Sequence, residues 1–146
     1  MTTLRRSFFR NLLALGVLTI AFAPEGLRAQ GQCSNAIMKG TYVATGTGMV
    51  ASGNTFAPIA MVALIVFNGD GTGVLLSETK SAAGQSSMAS NVPATFTVNP
   101  DCTGSKTIGG TNFDFVITPD GSKITWIVTN SGFTMAGTGV RSLFLN

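Results

Sequence analysis

Turn chemistry interrupts this sequence too often for long helices. From residue 38 onward, strand-length runs end in "NGDGTG" (68–73), "SAAGQSSMASN" (81–91), "DCTG" (101–104), "PDGS" (119–122) and "SG" (131–132). Between these breaks no long segment repeats at a 3.6-residue period. Short runs with regular turn signals are the signature of an antiparallel all-β sandwich or barrel. Eight strands are predicted: 38–50, 56–67, 72–80, 92–100, 105–110, 112–118, 123–129 and 133–146. Their hairpin-length connections imply sequential neighbours, hence an up-and-down barrel of about eight strands, with a β-sandwich as the alternative. The glycines inside strands, Gly46, Gly48, Gly137 and Gly139, are expected at bulges or bends. The segment 81–91 reads as a flexible loop.

Alternation gives the faces. Met38, Tyr42, Ala44 and Val50 share one face of the first strand, with Lys39, Thr41, Thr45 and Thr47 on the other. Val92, Ala94, Phe96 and Val98 point inward, as do Phe113, Phe115 and Ile117, and Ile124, Trp126 and Val128. The second strand, "FAPIAMVALIVF" (56–67), is apolar on both faces. It is too short for a membrane-spanning helix, which needs about 20 residues, and Pro58 interrupts it. Ile59, Met61, Ala63, Ile65 and Phe67 are placed inward, leaving Val62, Leu64 and Val66 as an outer apolar patch. Such a patch marks an interaction surface, covered by a second subunit or by the 81–91 loop.

The chain carries a net charge of +3, but the excess sits at the start. Arg5, Arg6 and Arg10 precede an apolar run from Leu12 to Ala23 and a small residue, Ala29, the order of an export signal. Residues 1–29 are read as that signal and 30–146 as one β-barrel domain, secreted or periplasmic. "RRSFFR" resembles a twin-arginine address, although Leu4 departs from the usual polar residue before the pair; a general secretory route is the alternative. Without residues 1–29, five basic and five acidic residues remain. This balance removes any nucleic-acid footprint. Gln30 and Gln32 before Cys33 do not make a lipobox. Cys33 and Cys102 form an even pair in an oxidising compartment, which favours a disulfide; a two-thiol metal site or a catalytic thiol would lack both a CxxC motif and a histidine.

Four segments carry a resemblance: Cys33-Ser34-Asn35, Lys39-Gly40-Thr41-Tyr42, Phe67-Asn68-Gly69-Asp70-Gly71 and Thr97-Val98-Asn99-Pro100-Asp101-Cys102-Thr103-Gly104. This punctuation resembles that of a group of small exported bacterial β-barrel proteins, similar in shape to lipocalins and to allene-oxide-cyclase-like barrels. The resemblance implies an interior for apolar small molecules. It carries over no catalytic residue, and fold-level analogy assigns no function.

Histidine is absent from the sequence, which removes imidazole bases, Ser-His-Asp and Cys-His arrangements and His metal sites. "NGDGTG" partly matches a calcium loop through Asn68, Asp70 and Thr72, but Thr79 stands where a bidentate Glu is needed, and a β-turn explains the same residues. Asp114 faces solvent between Phe113 and Phe115 and Asp120 lies in a turn, so the two do not form a hydrolytic pair. Glu78 and Lys80 are placed on one face with Val74 and Leu76. Met38, Met49, Met61, Met88 and Met135 are scattered one per segment, as core filling rather than a copper site. No metal or cofactor is expected. Tyr42, Met61, Ile65, Phe113, Phe115 and Trp126 are the candidate ligand-lining residues. A non-catalytic binding module for a small apolar ligand is the leading expectation. A self-associating envelope protein, with a homo-oligomer formed through the second strand, and a cyclase-type enzyme are the alternatives.

Overall fold

A computed structural model describes residues 33–143; the export-signal reading falls on residues outside this range. The strands are β1 (Lys39–Ser52), β2 (Thr55–Asn68), β3 (Thr72–Ala82), β4 (Gln85–Ala89), β5 (Val92–Val98), β6 (Thr103–Ile108), β7 (Thr111–Ile117), β8 (Lys123–Val128) and β9 (Phe133–Arg141). All pairings are antiparallel. Sheet order runs β2-β1-β9-β8-β7-β6-β5-β3-β4, and a β2–β3 ladder closes eight of the strands into a barrel. Closure removes the edges that an open sheet would expose.

The ninth strand is a correction. The segment expected to be a loop continues β3 to Ala82, turns at Ala83-Gly84 and returns as β4. β4 and β5 both pair with β3, β4 along Glu78–Ala82 and β5 along Thr72–Leu75. They are successive parts of one descending path, broken at Ser90-Asn91, where Asn91 takes a positive φ of 55°. Only β5 goes on to pair with β6, so β4 stands beyond the closed wall.

The two ends of the barrel differ. At the lower end three tight turns share one design. Asp70, Asp101 and Asp120 each accept from the backbone N–H and the hydroxyl two residues on, at Thr72, Thr103 and Ser122. These Asx turns satisfy the carboxylate locally. They hold all three carboxyls below the usual range, Asp120 at about 2, chiefly through hydroxyl donation. The calcium-loop residues thus spend their polar groups on their own turn, with Asn68 donating to Thr72 Oγ1 at 2.9 Å.

A plug fills the same end. A short 3₁₀ turn, Asn35–Ile37, lies across it, and the fully buried Met38 follows. Asn35 Oδ1 accepts from Val98 N at 2.8 Å, and Cys33 is bonded to Cys102 with Cα atoms 5.0 Å apart. The Tyr42 hydroxyl donates to Gly121 O at 2.5 Å, and Arg141 Nε donates to the same oxygen at 3.1 Å. Burial raises the Tyr42 pKa, against the lowering influence of Arg141. The plug is capped by an aromatic stack in which Tyr42 meets Phe67, and Phe67 meets Phe96, edge to face with centroids 5.5 and 5.2 Å apart. Such pairs add about 1 kcal/mol each beyond their buried area.

Alternation holds as expected along β2, β5, β7 and β8. Thr41 is an exception, buried rather than outward; the chain after β9 lies beside it, with Ser142 N donating to Thr41 O at 2.7 Å. The methionines also divide: Met38, Met61 and Met135 are core, while Met49 and Met88 are exposed. The strand glycines do not form bulges, because the β1–β2 and β1–β9 registers run unbroken past them. Gly46 and Gly137 instead face each other across β1 and β9, and a Cβ on either would collide with the Trp126 ring. They form the slot in which the indole lies. The bulge is on β3. Leu64 pairs with Ser77 and Ile65 with Leu75, so Leu76 is the extra residue.

Candidate functional site

An eight-stranded barrel is just wide enough for its own side chains to fill it or for one small ligand. This one does both. Aromatic and branched side chains fill the lower half. The upper half contains a cavity of about 60 Å³, walled by Ile59, Met61 and Ile65 of β2, Leu75 of β3, Ile108 of β6, Phe113 of β7, Trp126 and Val128 of β8, and Phe133 and Met135 of β9.

The Leu76 bulge determines what charge reaches this cavity. Strict alternation groups Glu78 and Lys80 with Val74 and Leu76. The extra residue reverses the parity, so Glu78 and Lys80 fall on the inner face with Leu75, and both line the cavity. They pair with each other, Nζ to Oε2, at 3.1 Å. Lys80 is the more exposed of the two, with 38% of its side chain accessible against 11% for Glu78. The pair therefore lies at the mouth.

Lys106 lies at the floor. It points inward from the middle of β6, level with Phe96 on one side and Phe113 on the other, and is only 5% exposed. Its Nζ is 5.0 Å from the Phe113 ring centroid, 5.5 Å from Trp126 and 5.8 Å from Phe67. The faces of these rings attract the ammonium. Burial outweighs them and brings the lysine pKa down from its ordinary 10.5 to about 7. Among the described residues no carboxylate forms an ion pair with it. Trp126, edge-on to Phe113 at 5.4 Å, contributes a second unmatched donor, because its buried Nε1 has no hydrogen-bond partner among the described residues.

The expected lining residues are only partly brought together. Met61, Ile65, Phe113 and Trp126 surround the cavity. Tyr42 does not; it is part of the lower plug. Phe115 lies outside the cavity as well, packed beneath Gly104, where a Cβ would strike its ring. Its edge shows instead in a shallow depression of the outer wall between Ser105, Asp114, Thr125 and Ala136. Lys106 was not singled out by the sequence, although it shares parity with Ile108 and lies between two phenylalanine-bearing strands. No three acidic or cysteine side chains converge on a metal position among the described residues. Nor is any helix among them long and apolar enough to cross a membrane.

On the outer wall, Val62 is 56% exposed, while Leu64 and Val66 are half-buried. The 81–91 segment does not cover Val62, since it is committed to pairing along β3. Val43 (49% exposed) sits opposite both Leu64 and Val140 (52% exposed), which extends the apolar row across β2, β1 and β9.

The fold and cavity define a closed antiparallel barrel with one plugged end and a one-mouthed, apolar interior. Comparison with protein-family models, with curated proteins and with solved structures finds no match for this chain.

Proposed function

We propose that this protein is a non-catalytic binding module that holds a small apolar ligand in the upper half of its barrel. The observation that carries this reading is the cavity above the aromatic floor, with walls of Ile, Leu, Met, Phe and Trp and a few polar groups converging on it. Met61 and Met135 give those walls side chains that adapt to the shape of a guest. The disulfide supports an exported location, where such bonds persist. Native mass spectrometry of the protein from its own host tests the reading. A co-purifying small molecule, or uptake of one from a panel of apolar compounds, is expected; a species that takes up none overturns it.

A second reading, self-association through the second strand, is favoured by the row Val140–Val43–Leu64 with Val62 beside it, because exposed apolar rows of this kind mark interaction surfaces. Replacing Leu64 with Lys would then lower the sedimentation coefficient while leaving the far-ultraviolet circular dichroism of the barrel unchanged. Identical sedimentation of variant and parent removes this reading.

A further inference from the structure

Three charged side chains reach the cavity, and their charges do not cancel. Glu78 and Lys80 neutralise one another at the mouth. Lys106 remains, buried, with its Nζ among three rings and no carboxylate in ion-pair range among the described residues. Burying a cation without its counter-ion costs several kcal/mol, and the rings offset only part of that. Packing does not require a lysine there. Its inward neighbours are Phe96 and Phe113, so a methionine of similar length would fill the same space without the desolvation cost. Trp126 Nε1 adds a buried donor without an acceptor on another residue lining the same cavity. The interior therefore presents a positive charge and unmatched donors, and what would complement them is a single anionic acceptor with an apolar body.

We propose that Lys106 anchors the head group of the ligand, and that the ligand is an apolar monocarboxylate whose carboxylate sits on Nζ at the cavity floor while its hydrocarbon part runs up between Ile108 and Phe133 to the mouth. This inference rests on the binding-module reading and specifies its substrate class. A cavity of about 60 Å³, against roughly 30 Å³ for each water in the liquid, admits the head group and its first carbons; the rest of a medium-length chain lies in the mouth. Among the described residues, Glu78 and Lys80 on β3 are the only other titratable groups lining the cavity. Tyr42 on β1 is beyond Phe67 at the plugged end. The lysine is poised near pH 7 by burial, so an incoming carboxylate raises its pKa again and binding takes up a proton above neutrality.

The test uses the full chain with octanoate and 1-octanol, matched in length and differing in the head group. Affinities come from calorimetry and from fluorescence of Trp126, the single tryptophan, at about pH 6 and about pH 8.5, either side of the lysine's pKa of about 7. Carbon-13 NMR of the lysine side chains follows Lys106 itself. Octanoate should bind about tenfold or more tightly than octanol, as expected for a charge-assisted hydrogen bond. Saturation with octanoate should move the Lys106 titration midpoint upward by at least about one pH unit, the equivalent of that tenfold preference. In Lys106→Met the preference should vanish, with octanol affinity retained. Equal affinities for the two compounds in the parent protein, or an unmoved Lys106 midpoint, overturn the anchor while leaving an apolar binding module standing. Failure of both compounds to bind overturns the anchor and the binding-module reading together. The NMR measurement needs no variant and decides the question even if Lys106→Met misfolds.

Discussion

At the scale of the residue, Lys106 and Trp126 pull the fold in opposite directions. Trp126 is accommodated at the cost of two side chains, since Gly46 and Gly137 leave the slot that its ring fills. Gly46→Ala should therefore destabilise the barrel by about 1–3 kcal/mol, as over-packing does, and blunt the Trp126 fluorescence signature of the folded state; urea titration checks both. Lys106 is a debit of another kind. Its pKa is lower in the folded chain than in the unfolded one, so the unfolded chain binds more protons between about pH 7 and pH 10.5. Stability therefore rises as the pH is raised through that window, by up to about 1.4 kcal/mol per pH unit, and the cost of the lysine is fully present below pH 7. Lys106→Met should be more stable than the parent at pH 6 and lose this slope. Denaturation midpoints measured at pH 6, 8 and 10 decide it; a parent curve that is flat or falls with pH counts against a buried, unpaired lysine. The sequence could have disclosed the residue. The turn at 99–103 fixes the β5–β6 register and so sets Lys106 opposite Phe96, but a lysine in a short Ser-Lys-Thr-Ile run looks like an ordinary solvated charge until both neighbouring strands are in register.

At the scale of the element, most of the strands were legible, because their turns announce themselves. β4 was not. Its five residues, Gln85–Ala89, contain no β-branched side chain and follow an Ala-Ala-Gly turn, so composition points to a loop and only pairing with β3 makes a strand of them. The inner face of β3 was misread for a different reason. A bulge has no compulsory residue signature, and Leu76 in "GVLLSE" passes for one more apolar position. The bulge makes a direct prediction. A cysteine at position 78 should react slowly with a bulky maleimide and one at position 79 rapidly, and deleting Leu76 should preserve that order, because Leu75, Ser77, Glu78 and Thr79 then alternate in, out, in, out with their β2 partners unchanged. Exchanged rates would mean that the upper part of β3 slips by one residue and that Leu76 is not the extra residue. The three Asx turns respond to acid. Their carboxyls titrate low, so their contribution is complete above the ordinary aspartate range near pH 3.8 and, at Asp120, is lost as pH falls through about 2. Asp120→Asn should remove that response at the β7–β8 turn while retaining an oxygen acceptor, which amide exchange at Ser122 would report.

At the scale of the whole molecule, the disulfide and the plug secure one end of the barrel and leave the cavity to the other. The loop closed between Cys33 and Cys102 spans 69 residues, and in the chain-entropy model its closure stabilises by about 4 kcal/mol. Replacing both cysteines by serine should cost about that much in equilibrium denaturation, and should leave the affinity of the upper cavity within about twofold of the parent, because additivity holds between distant sites. A large loss of affinity in that variant would show that the two halves of the barrel are coupled. Barrel closure and the paired cysteines were readable from punctuation and compartment. The division into a filled half and a hollow half was not, because it depends on which inward side chains share a level around the barrel, and that is a property of shear rather than of any one strand.

The plugged end also dictates the order of events for any guest. A tube closed at this end by Met38, Tyr42 and the Cys33–Cys102 bridge leaves the mouth as the way in, so a guest held on Lys106 as proposed would enter with its head group leading and leave tail first along the same route. The doorway itself is salted with Lys80 and Glu78. An anion taken up by this proposed route would meet Lys80, already paired with Glu78, at the threshold and Lys106 at the back wall, and the apolar passage between them would slow its exchange in both directions.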